Sequence, residues 1–246
     1  MILSIQSQVV YGCVGNQAAT HIAHLLGKSI SCIPTGLFSN HKGHSHYTSF
    51  PVDILHLVSG LRKNHIFPKS FNRVHIGYLG TVKIAQDVYD LIVEIKLNNP
   101  DCIVIIDPVL GDNNRLYVES DLIAFYKNKL CLLADILTPN DFEAELLGDM
   151  PSIPLRIITS KYSSDTELTL QAIINNTDSF AITFPKVPGW FCGTGDIFAA
   201  ILTCKLENFK IEHVEDCCKY AINCLQKILK DNLESKDLMI LKQHLE

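Results

Sequence analysis

The sequence predicts an α/β fold in which helices cover a mainly parallel β-sheet. The first observation is that short apolar runs alternate many times with segments of helical periodicity, without a block of strands alone or of helices alone. The second is that residues 102–106 are a continuous apolar run rich in β-branched side chains, which is typical of a strand covered on both faces. A chain of 246 residues can bury a core without disulfide bonds, and one domain over residues 1–246 is the simplest prediction.

Strands are predicted where short apolar runs are bounded by polar or turn residues. In chain order these are residues 2–5, 29–34, 73–78, 102–106, 135–137, 155–158 and 180–184. Helices are predicted where apolar side chains recur every three or four residues. In chain order these are residues 16–26, 81–97, 121–130, 141–147, 165–174, 195–205 and 214–230. Gly27 and Gly148 supply ends for the first and fourth helices, and the second helix ends before Pro100.

Charge and cysteine content exclude several classes of function. The net charge of −5 and the lack of a Lys/Arg block give no support to nucleic-acid binding. No apolar stretch of the sequence reaches the length of about 18 residues that a membrane span needs. The nine cysteines are odd in number, irregularly spaced and without a Cys-x-x-Cys pair, which favours a reducing compartment. We therefore expect a cytoplasmic protein.

The segment from Gly193 to Asp196 carries the most chemical information. Two glycines precede an Asp at the start of a strongly apolar helix, where free backbone N–H groups and a partial positive charge favour an anion such as phosphate. A bound anion would repel a carboxylate at this position, so the presence of the Asp needs a reason. Asp196 either accepts the proton of an attacking hydroxyl group or simply caps the helix, and these residues alone leave both roles open.

Five motifs in the same order make the chain resemble the pyridoxal kinase family of the ribokinase-like superfamily. They are Leu-Ser-Ile-Gln-Ser at 3–7 with Gly-Asn at 15–16, Phe-Ser-Asn-His at 38–41, Asp-Pro-Val-Leu-Gly-Asp at 107–112 with Tyr-Val at 117–118, Thr-Pro-Asn at 138–140 with Phe-Glu-Ala-Glu at 142–145, and Gly-Thr-Gly-Asp at 193–196. The resemblance runs over most of the chain. It implies a three-layer α/β/α sandwich and an ATP-dependent kinase that phosphorylates the 5′-hydroxymethyl group of pyridoxal or of its relatives pyridoxine and pyridoxamine.

The resemblance implies a role for each residue of the glycine motif. Asp196 is implied to be the catalytic base, while the backbone N–H groups of Gly193, Thr194 and Gly195 are implied to hold the oxygens of the transferring phosphoryl group. ATP is the implied co-substrate, with Mg²⁺ or another divalent cation held near two acidic side chains. These are Asp112 and Glu143. Similar kinases often need K⁺ as well, although the chain alone shows no K⁺ site.

Further residues are assigned to the two ligands by the same resemblance. On the nucleotide side they are Asp107, Asp112, Tyr117, Thr138, Glu143, Thr159 and Ser160. On the vitamin side they are Ser7, Val14, Phe38, His41 and Tyr78. Taken without the resemblance, the two aromatic residues fit core packing better than a ligand role, and the carboxylates fit a strand end, a turn and a first helical turn. Relatives are typically homodimers, which implies the same assembly here.

Three features depart from the family pattern. Lys42 follows Phe-Ser-Asn-His where many relatives carry Thr or another small residue, and this bears on substrate preference. Only residues 113–116 separate the motif ending at 112 from Tyr117, which predicts a short lid over ATP, and residues 161–190 are compact where the family usually has a longer hairpin region. A cluster of histidines begins at the end of the Phe-Ser-Asn-His motif. It lacks the cysteine ligands or the second pair of ligands that common zinc sites have, so we predict no metal there. It comprises His41, His44 and His46.

Two other functions stay open. One is a hydroxymethylpyrimidine kinase of the same superfamily, although those enzymes often carry Cys in the glycine motif, where this chain has Thr194. The other is a kinase-shaped protein that binds pyridoxal but turns over slowly, which the short lid and Lys42 motivate. The retained Asp196 and Glu143 argue against the second alternative, because a pure binder needs no base.

Overall fold

In the computed structural model, which describes residues 1–235 and 237–246, strands and helices alternate along the chain. The strands are β1 (Ile2–Tyr11), β2 (Ile30–Asn40), β3 (Ser49–Pro51), β4 (Arg73–Ile76), β5 (Ile103–Ile106), β6 (Gly111–Asp112), β7 (Arg115–Leu116), β8 (Ile136–Leu137), β9 (Leu155–Ser163), β10 (Glu167–Ile174) and β11 (Thr177–Pro185). The α-helices are α1 (Gly15–Leu25), α2 (Ile54–Lys63), α3 (Val82–Asn98), α4 (Ser120–Asn128), α5 (Asp141–Leu147), α6 (Thr194–Lys205) and α7 (Ile211–Asp231).

Within the described residues, nine strands form one sheet in the order β11-β10-β9-β8-β5-β4-β1-β2-β3. The strands from β9 to β2 are parallel to one another, whereas β10, β11 and β3 add antiparallel pairs at the two edges. Parallel neighbours need long crossover connections, which the helices supply. The carboxyl ends of the parallel strands therefore meet at one edge of the sheet, which is where ligands bind in folds of this type.

Alternate residues of the central strands enter two separate cores, one on each face of the sheet. Ile105 belongs to the core beneath α1, α6 and α7, whereas Val104 and Ile106 belong to the core beneath α2, α3 and α4. All three side chains are fully buried, and burial of an aliphatic side chain contributes roughly 1.5–3 kcal/mol to folding. The predicted three-layer α/β/α sandwich with a mainly parallel central sheet is confirmed.

The predicted helix at residues 165–174 is wrong, because this segment forms strand β10. Leu170, Ala172 and Ile174 are buried, and the residues between them are more exposed. This period of two is that of a strand, and the antiparallel neighbours β9 and β11 supply partners for its backbone groups. Residues 161–190 thus hold most of a compact antiparallel meander with short turns.

The turn between β10 and β11 contains Asn175 and Asn176, whose φ angles of 49° and 60° lie in the left-handed region. Two-residue hairpin turns with positive φ at both positions favour Asn and Gly. We expect Asn176→Gly to keep or slightly raise the free energy of unfolding. Asn176→Val should lower it by about 1–2 kcal/mol, because a β-branched side chain is strained in this region. Urea unfolding measures both variants, and equal stabilities would contradict this turn geometry.

Strands β1, β2 and β9 run further than the sequence predicts. In β2 this places Phe38 inside the strand, and in β1 and β9 it changes the placement of three more predicted site residues. Strand β1 continues past Ser7, which lies where the pairing of β1 with β2 shifts register. Strand β9 likewise continues past Thr159 and Ser160, where its pairing with β10 shifts. All three residues therefore lie at irregular points inside strands rather than after them, and such irregularities change the direction in which side chains point.

None of the described helices combines the length and apolar character that crossing a membrane requires.

Candidate active site

Helix α6 begins at the glycine motif at the carboxyl edge of the sheet. Gly193 is its N-cap and has a φ of 89°, a left-handed conformation that favours glycine. A Cβ atom on Gly193 would also lie well inside van der Waals contact of the Cys13 carbonyl oxygen. The helix start therefore keeps a bare backbone, and the N–H groups of Thr194 and Gly195 have no partner within the helix. This end of α6 can bind an anion.

Asp196 lies in the first turn of α6 and is held by the start of a second helix. The backbone N–H of Gly15, the first residue of α1, donates a hydrogen bond to the Asp196 carboxylate. Burial raises the pKa of Asp196 to about 6, while this hydrogen bond lowers it. A carboxylate with this pKa is ionised near neutral pH and is a stronger base than an ordinary Asp, so it can accept a proton from a hydroxyl group.

Three acidic side chains, which we call the carboxylate cluster, lie near one another in front of α6. They are Asp107, Glu143 and Asp196. Asp107, directly after β5, has its Oδ2 3.6 Å from the position that a Cβ on Gly195 would take. Burial raises the pKa of Asp107 well above its usual range, and the charges of Glu143 and Asp196 raise it further. Within the described chain, every charged group that shifts the pKa values of these carboxylates is itself a carboxylate. A cluster of oxygen ligands without a basic partner fits a divalent cation.

Glu143, in the first turn of α5, is already engaged by backbone groups. Its Oε1 accepts hydrogen bonds from the N–H groups of Leu110 and Gly111 at 2.9 and 3.3 Å, and its Oε2 accepts one from Asn140 at 2.9 Å. The Asn140 side chain accepts from the Glu143 N–H in return, which completes a capping box. Burial raises the pKa of Glu143 to about 7, against the effect of the three donors. The side chain therefore ties the loop after β5 to the start of α5.

The predicted short lid is a hairpin formed by β6 and β7. Its turn residues Asn113 and Asn114 have positive φ angles of 49° and 59°. Asp112 is exposed on this hairpin, and its carboxylate accepts hydrogen bonds from the backbone and side chain of Asn113. Burial, together with the nearby Asp112 and Cys192, raises the pKa of Tyr117 to about 12. Tyr117 therefore lies near both the hairpin and the residue before the glycine motif.

The nucleotide-side residues after β8 and within β9 differ in how hydrogen bonds connect them to the carboxylates. Thr138 Oγ1 donates a hydrogen bond to Asp107 Oδ1 at 3.3 Å, so the end of β8 joins the carboxylate cluster. The Thr159 N–H donates to the Pro139 carbonyl at 2.9 Å and reaches the cluster only through that neighbour. Among the described residues, no hydrogen bond joins Ser160 to the cluster.

Ser7 lies beside the start of α1, and Val14 lies beside the start of α6. A Cβ on Gly15 would lie 2.8 Å from Ser7 Oγ, and a Cβ on Gly193 would lie 3.1 Å from Val14 Cγ1. Gly15 also donates to Asp196. The structure therefore brings these two predicted vitamin-side residues next to the predicted base.

An aromatic cluster, formed by Phe38, Tyr47 and Tyr78, lies at the carboxyl ends of β2 and β4. The Phe38 ring centroid is 6.2 Å from that of Tyr47 and 6.3 Å from that of Tyr78. Thr35 Oγ1 donates a hydrogen bond to the Tyr78 carbonyl at 2.7 Å and fixes the backbone there. Lys42 Nζ donates to the Tyr78 hydroxyl at 2.8 Å and lies 5.0 Å from the ring centroid. Tyr47 lies in a polar loop without periodicity, so the sequence does not predict its place in this cluster.

His41 is held by the C-terminal segment. Its Nε2 is 2.9 Å from Asp237 Oδ1, and the Gly43 N–H donates to its Nδ1 at 3.1 Å. Because Nδ1 accepts, the neutral ring carries its proton on Nε2 and donates it to Asp237. His44 also lies 3.4 Å from this carboxylate, so the three side chains place metal-ligating atoms within 4.8 Å of one another. A metal at Nε2 of His41 would require loss of the Gly43 hydrogen bond, which disfavours such a site.

Comparisons with known proteins show which family the chain belongs to. Residues 29–240 match the family described as phosphomethylpyrimidine kinase. Pyridoxal kinase of Arabidopsis thaliana is 30% identical, and the match covers 95% of this chain and 82% of that protein. Two structures of pyridoxal kinase from Leishmania donovani are similarly related, one in complex with ADP and pyridoxine and the other with ADP and pyridoxamine. They are 28% and 30% identical, with a TM-score of 0.86 and coverage of 96% of this chain and 91% of the solved chain in each case. The chain is therefore a kinase and belongs to the pyridoxal kinase family.

Proposed function

We propose that this protein transfers the γ-phosphoryl group of ATP to the 5′-hydroxymethyl group of pyridoxal, giving pyridoxal 5′-phosphate in vitamin B6 salvage. The observation that carries this proposal is the position of Asp196 in the first turn of α6, beside the anion-binding N–H groups of the glycine motif. The relative from Leishmania donovani binds ADP together with pyridoxine in one solved complex and with pyridoxamine in another, which supports both ligand classes.

The chemistry assigned to the glycine motif is an in-line displacement at phosphorus. Asp196 accepts the proton of the 5′-hydroxyl group as its oxygen forms a bond to the γ-phosphorus, and the bond to the bridging oxygen of ADP breaks. The backbone N–H groups of Gly193, Thr194 and Gly195 donate to the oxygens of the transferring group. Because these donors belong to a fixed helix start, they need no rearrangement when charge develops.

We propose Mg²⁺ as the cation that accompanies ATP, and it would neutralise charge on the phosphate oxygens. The residues that fit it are the buried Asp107 and the exposed Asp112, with Glu143 behind them. Glu143 already accepts three backbone hydrogen bonds, so it acts through water or by holding the loop after β5. The described residues show no feature that assigns a K⁺ site.

The two ligands are proposed to lie on opposite sides of Asp196. The pyridine ring packs against Phe38, Val14 and Tyr78, with its nitrogen at the Ser7 hydroxyl, and His41 holds the adjoining loop. The ATP phosphates lie toward the carboxylate cluster and the lid. The nucleotide-side residues in this arrangement are Tyr117, Thr138, Thr159 and Ser160. We further propose a single domain over residues 1–246, a homodimer and a cytoplasmic location.

A hydroxymethylpyrimidine kinase is the second candidate, because the matching family is described as phosphomethylpyrimidine kinase, an activity on a pyrimidine of the same type. The experiment that separates the two functions compares kcat/KM for pyridoxal and for hydroxymethylpyrimidine under the same ATP and Mg²⁺ concentrations. The proposal expects a preference for pyridoxal of at least about tenfold, the change that a single well-placed contact of about 1.4 kcal/mol produces. A preference for the pyrimidine would replace the proposed substrate. Binding of pyridoxal without turnover would instead support the alternative of a kinase-shaped protein that binds pyridoxal but turns over slowly.

The pKa of Asp196 sets the expected pH dependence of catalysis. The base must be ionised, and burial raises its pKa to about 6. We expect kcat/KM for pyridoxal to be constant above this pKa and to fall about tenfold for each pH unit below it. A pH series in buffers of constant ionic strength measures this, with ATP saturating. An acid limb that begins only near pH 4 would show that the base has the pKa of an ordinary, solvated Asp.

A further inference from the structure

Lys42 places a positive charge against the aromatic cluster of the proposed vitamin site. Its Nζ lies 5.0 Å from the ring centroid of Tyr78 and 6.0 Å from that of Tyr47. The Tyr78 hydroxyl accepts a hydrogen bond from it at 2.8 Å. In the described part of the chain no carboxylate forms an ion pair with this ammonium group. The side chain is exposed to solvent, and the protein groups that contact its charge in the described chain are ring faces and one hydroxyl oxygen.

The aromatic cluster would attract a cationic ligand if Lys42 were absent. Ring faces carry negative potential, and two or three of them around one point form the type of cage that recognises ammonium groups. The Lys42 side chain already supplies such a cation from the protein itself. A second ammonium group at the cluster would meet like charge and would find the ring faces already in use.

The three candidate vitamers differ in charge at one substituent of the pyridine ring. Pyridoxal carries an aldehyde there and pyridoxine a second hydroxymethyl group, and both substituents are neutral. Pyridoxamine carries an aminomethyl group, and a primary alkyl amine of this kind is protonated near neutral pH, as a Lys side chain is. The substituent lies on the same ring that the proposed function packs against Phe38 and Tyr78.

We infer that Lys42 selects among vitamers by charge and disfavours pyridoxamine relative to the neutral vitamers. This inference rests on the proposed function, because it uses the vitamin site assigned there. The relative from Leishmania donovani binds pyridoxamine in its solved complex. The feature of this chain that carries the inference is an ammonium group against the Tyr78 ring, without a carboxylate partner among the described residues.

The test compares wild type with Lys42→Met and Lys42→Arg. Methionine keeps an unbranched side chain without charge, and arginine keeps the charge. The quantity measured is the ratio of kcat/KM for pyridoxamine to kcat/KM for pyridoxine. Pyridoxine is the reference because the aldehyde of pyridoxal can condense with the Lys42 amine. We expect the ratio to rise about tenfold in Lys42→Met, as for one partly screened pair of like charges, and to stay near the wild-type value in Lys42→Arg.

A second measurement separates charge from shape. In wild type, raising the ionic strength to about 1 M shortens the screening length to about 3 Å, so the ratio should rise, whereas in Lys42→Met it should not change. An unchanged ratio in Lys42→Met, or an equal rise in both variants, would overturn the inference. If wild type phosphorylates none of the vitamers, the proposed function fails. Calorimetric Kd values for pyridoxine and pyridoxamine then give the same ratio, with the same expected and contrary results.

Discussion

Replacing Asp196 with Asn is expected to lower kcat by a factor of about 10²–10⁴, the usual contribution of a positioned base. Asparagine has nearly the same shape and can still accept the hydrogen bond from the Gly15 N–H, but it cannot take a proton from the substrate hydroxyl. Single-turnover rates with ATP and pyridoxal measure the chemical step directly. Calorimetry should show that the variant still binds both ligands.

The same variant should change stability in a direction opposite to its effect on activity. Burial raises the pKa of Asp196 from 3.8 to about 6 in the folded protein. A carboxyl group with a raised pKa contributes stability that is present below pH 4 and is lost as the pH rises through 6. We therefore expect Asp196→Asn to be more stable than wild type at pH 8, with the advantage gone at pH 4. The exposed Asp101→Asn serves as the matched control and should change neither activity nor stability. An Asp196→Asn variant with wild-type turnover would exclude Asp196 as the base.

Replacing Gly193 with Ala is expected to abolish most activity and to destabilise the fold. The φ of 89° costs a non-glycine residue about 1–2 kcal/mol. The added methyl group would also collide with the Cys13 carbonyl, and such overpacking typically costs a further 1–3 kcal/mol. Because Cys13 and Gly15 belong to the same turn, relief of the collision should move the hydrogen-bond donor of Asp196.

Two other glycines give matched controls for Gly193→Ala. Gly27 has a φ of 67° but open space around its Cβ position, so Gly27→Ala isolates the cost of the backbone conformation. Gly60 lies within α2 and also faces open space, so Gly60→Ala should stabilise the protein by about 0.5–1 kcal/mol. Denaturant unfolding and turnover are measured for all three. Equal effects of Gly193→Ala and Gly27→Ala would show that the contact with Cys13 has no cost.

Local signals in the sequence predict the sheet, most helices and the chemistry at the start of α6. Apolar spacing and the following Gly148 predict α5 with its observed bounds. The structure adds the capping box of Asn140 and Glu143 at the start of this helix. The glycine motif predicts an anion site because two glycines before a helix have a local physical meaning. The resemblance to a family then supplies roles that spacing leaves open, such as those of Asp107 and Thr138, and these roles stay predictions.

The features that escape prediction depend on contacts between distant segments. In β10, apolar residues partly fit a helical period, and only pairing with β9 and β11 selects the strand. The contact between His41 and Asp237 joins residues 196 positions apart, and no spacing rule connects them. The Lys42 position is visible in the sequence as a departure from the family, but its contact with the Tyr78 ring requires the end of β4 to lie beside the loop after β2.

The most direct test of the central claim follows phosphorus during the reaction. Wild-type protein is mixed with ATP, Mg²⁺ and pyridoxal, and the mixture is monitored by ³¹P nuclear magnetic resonance. The account predicts that one phosphate monoester signal grows in equal amount with ADP, and that this signal fails to grow when pyridoxal or Mg²⁺ is left out. Release of inorganic phosphate in place of the monoester, or ATP that stays intact in the complete mixture, would contradict the account.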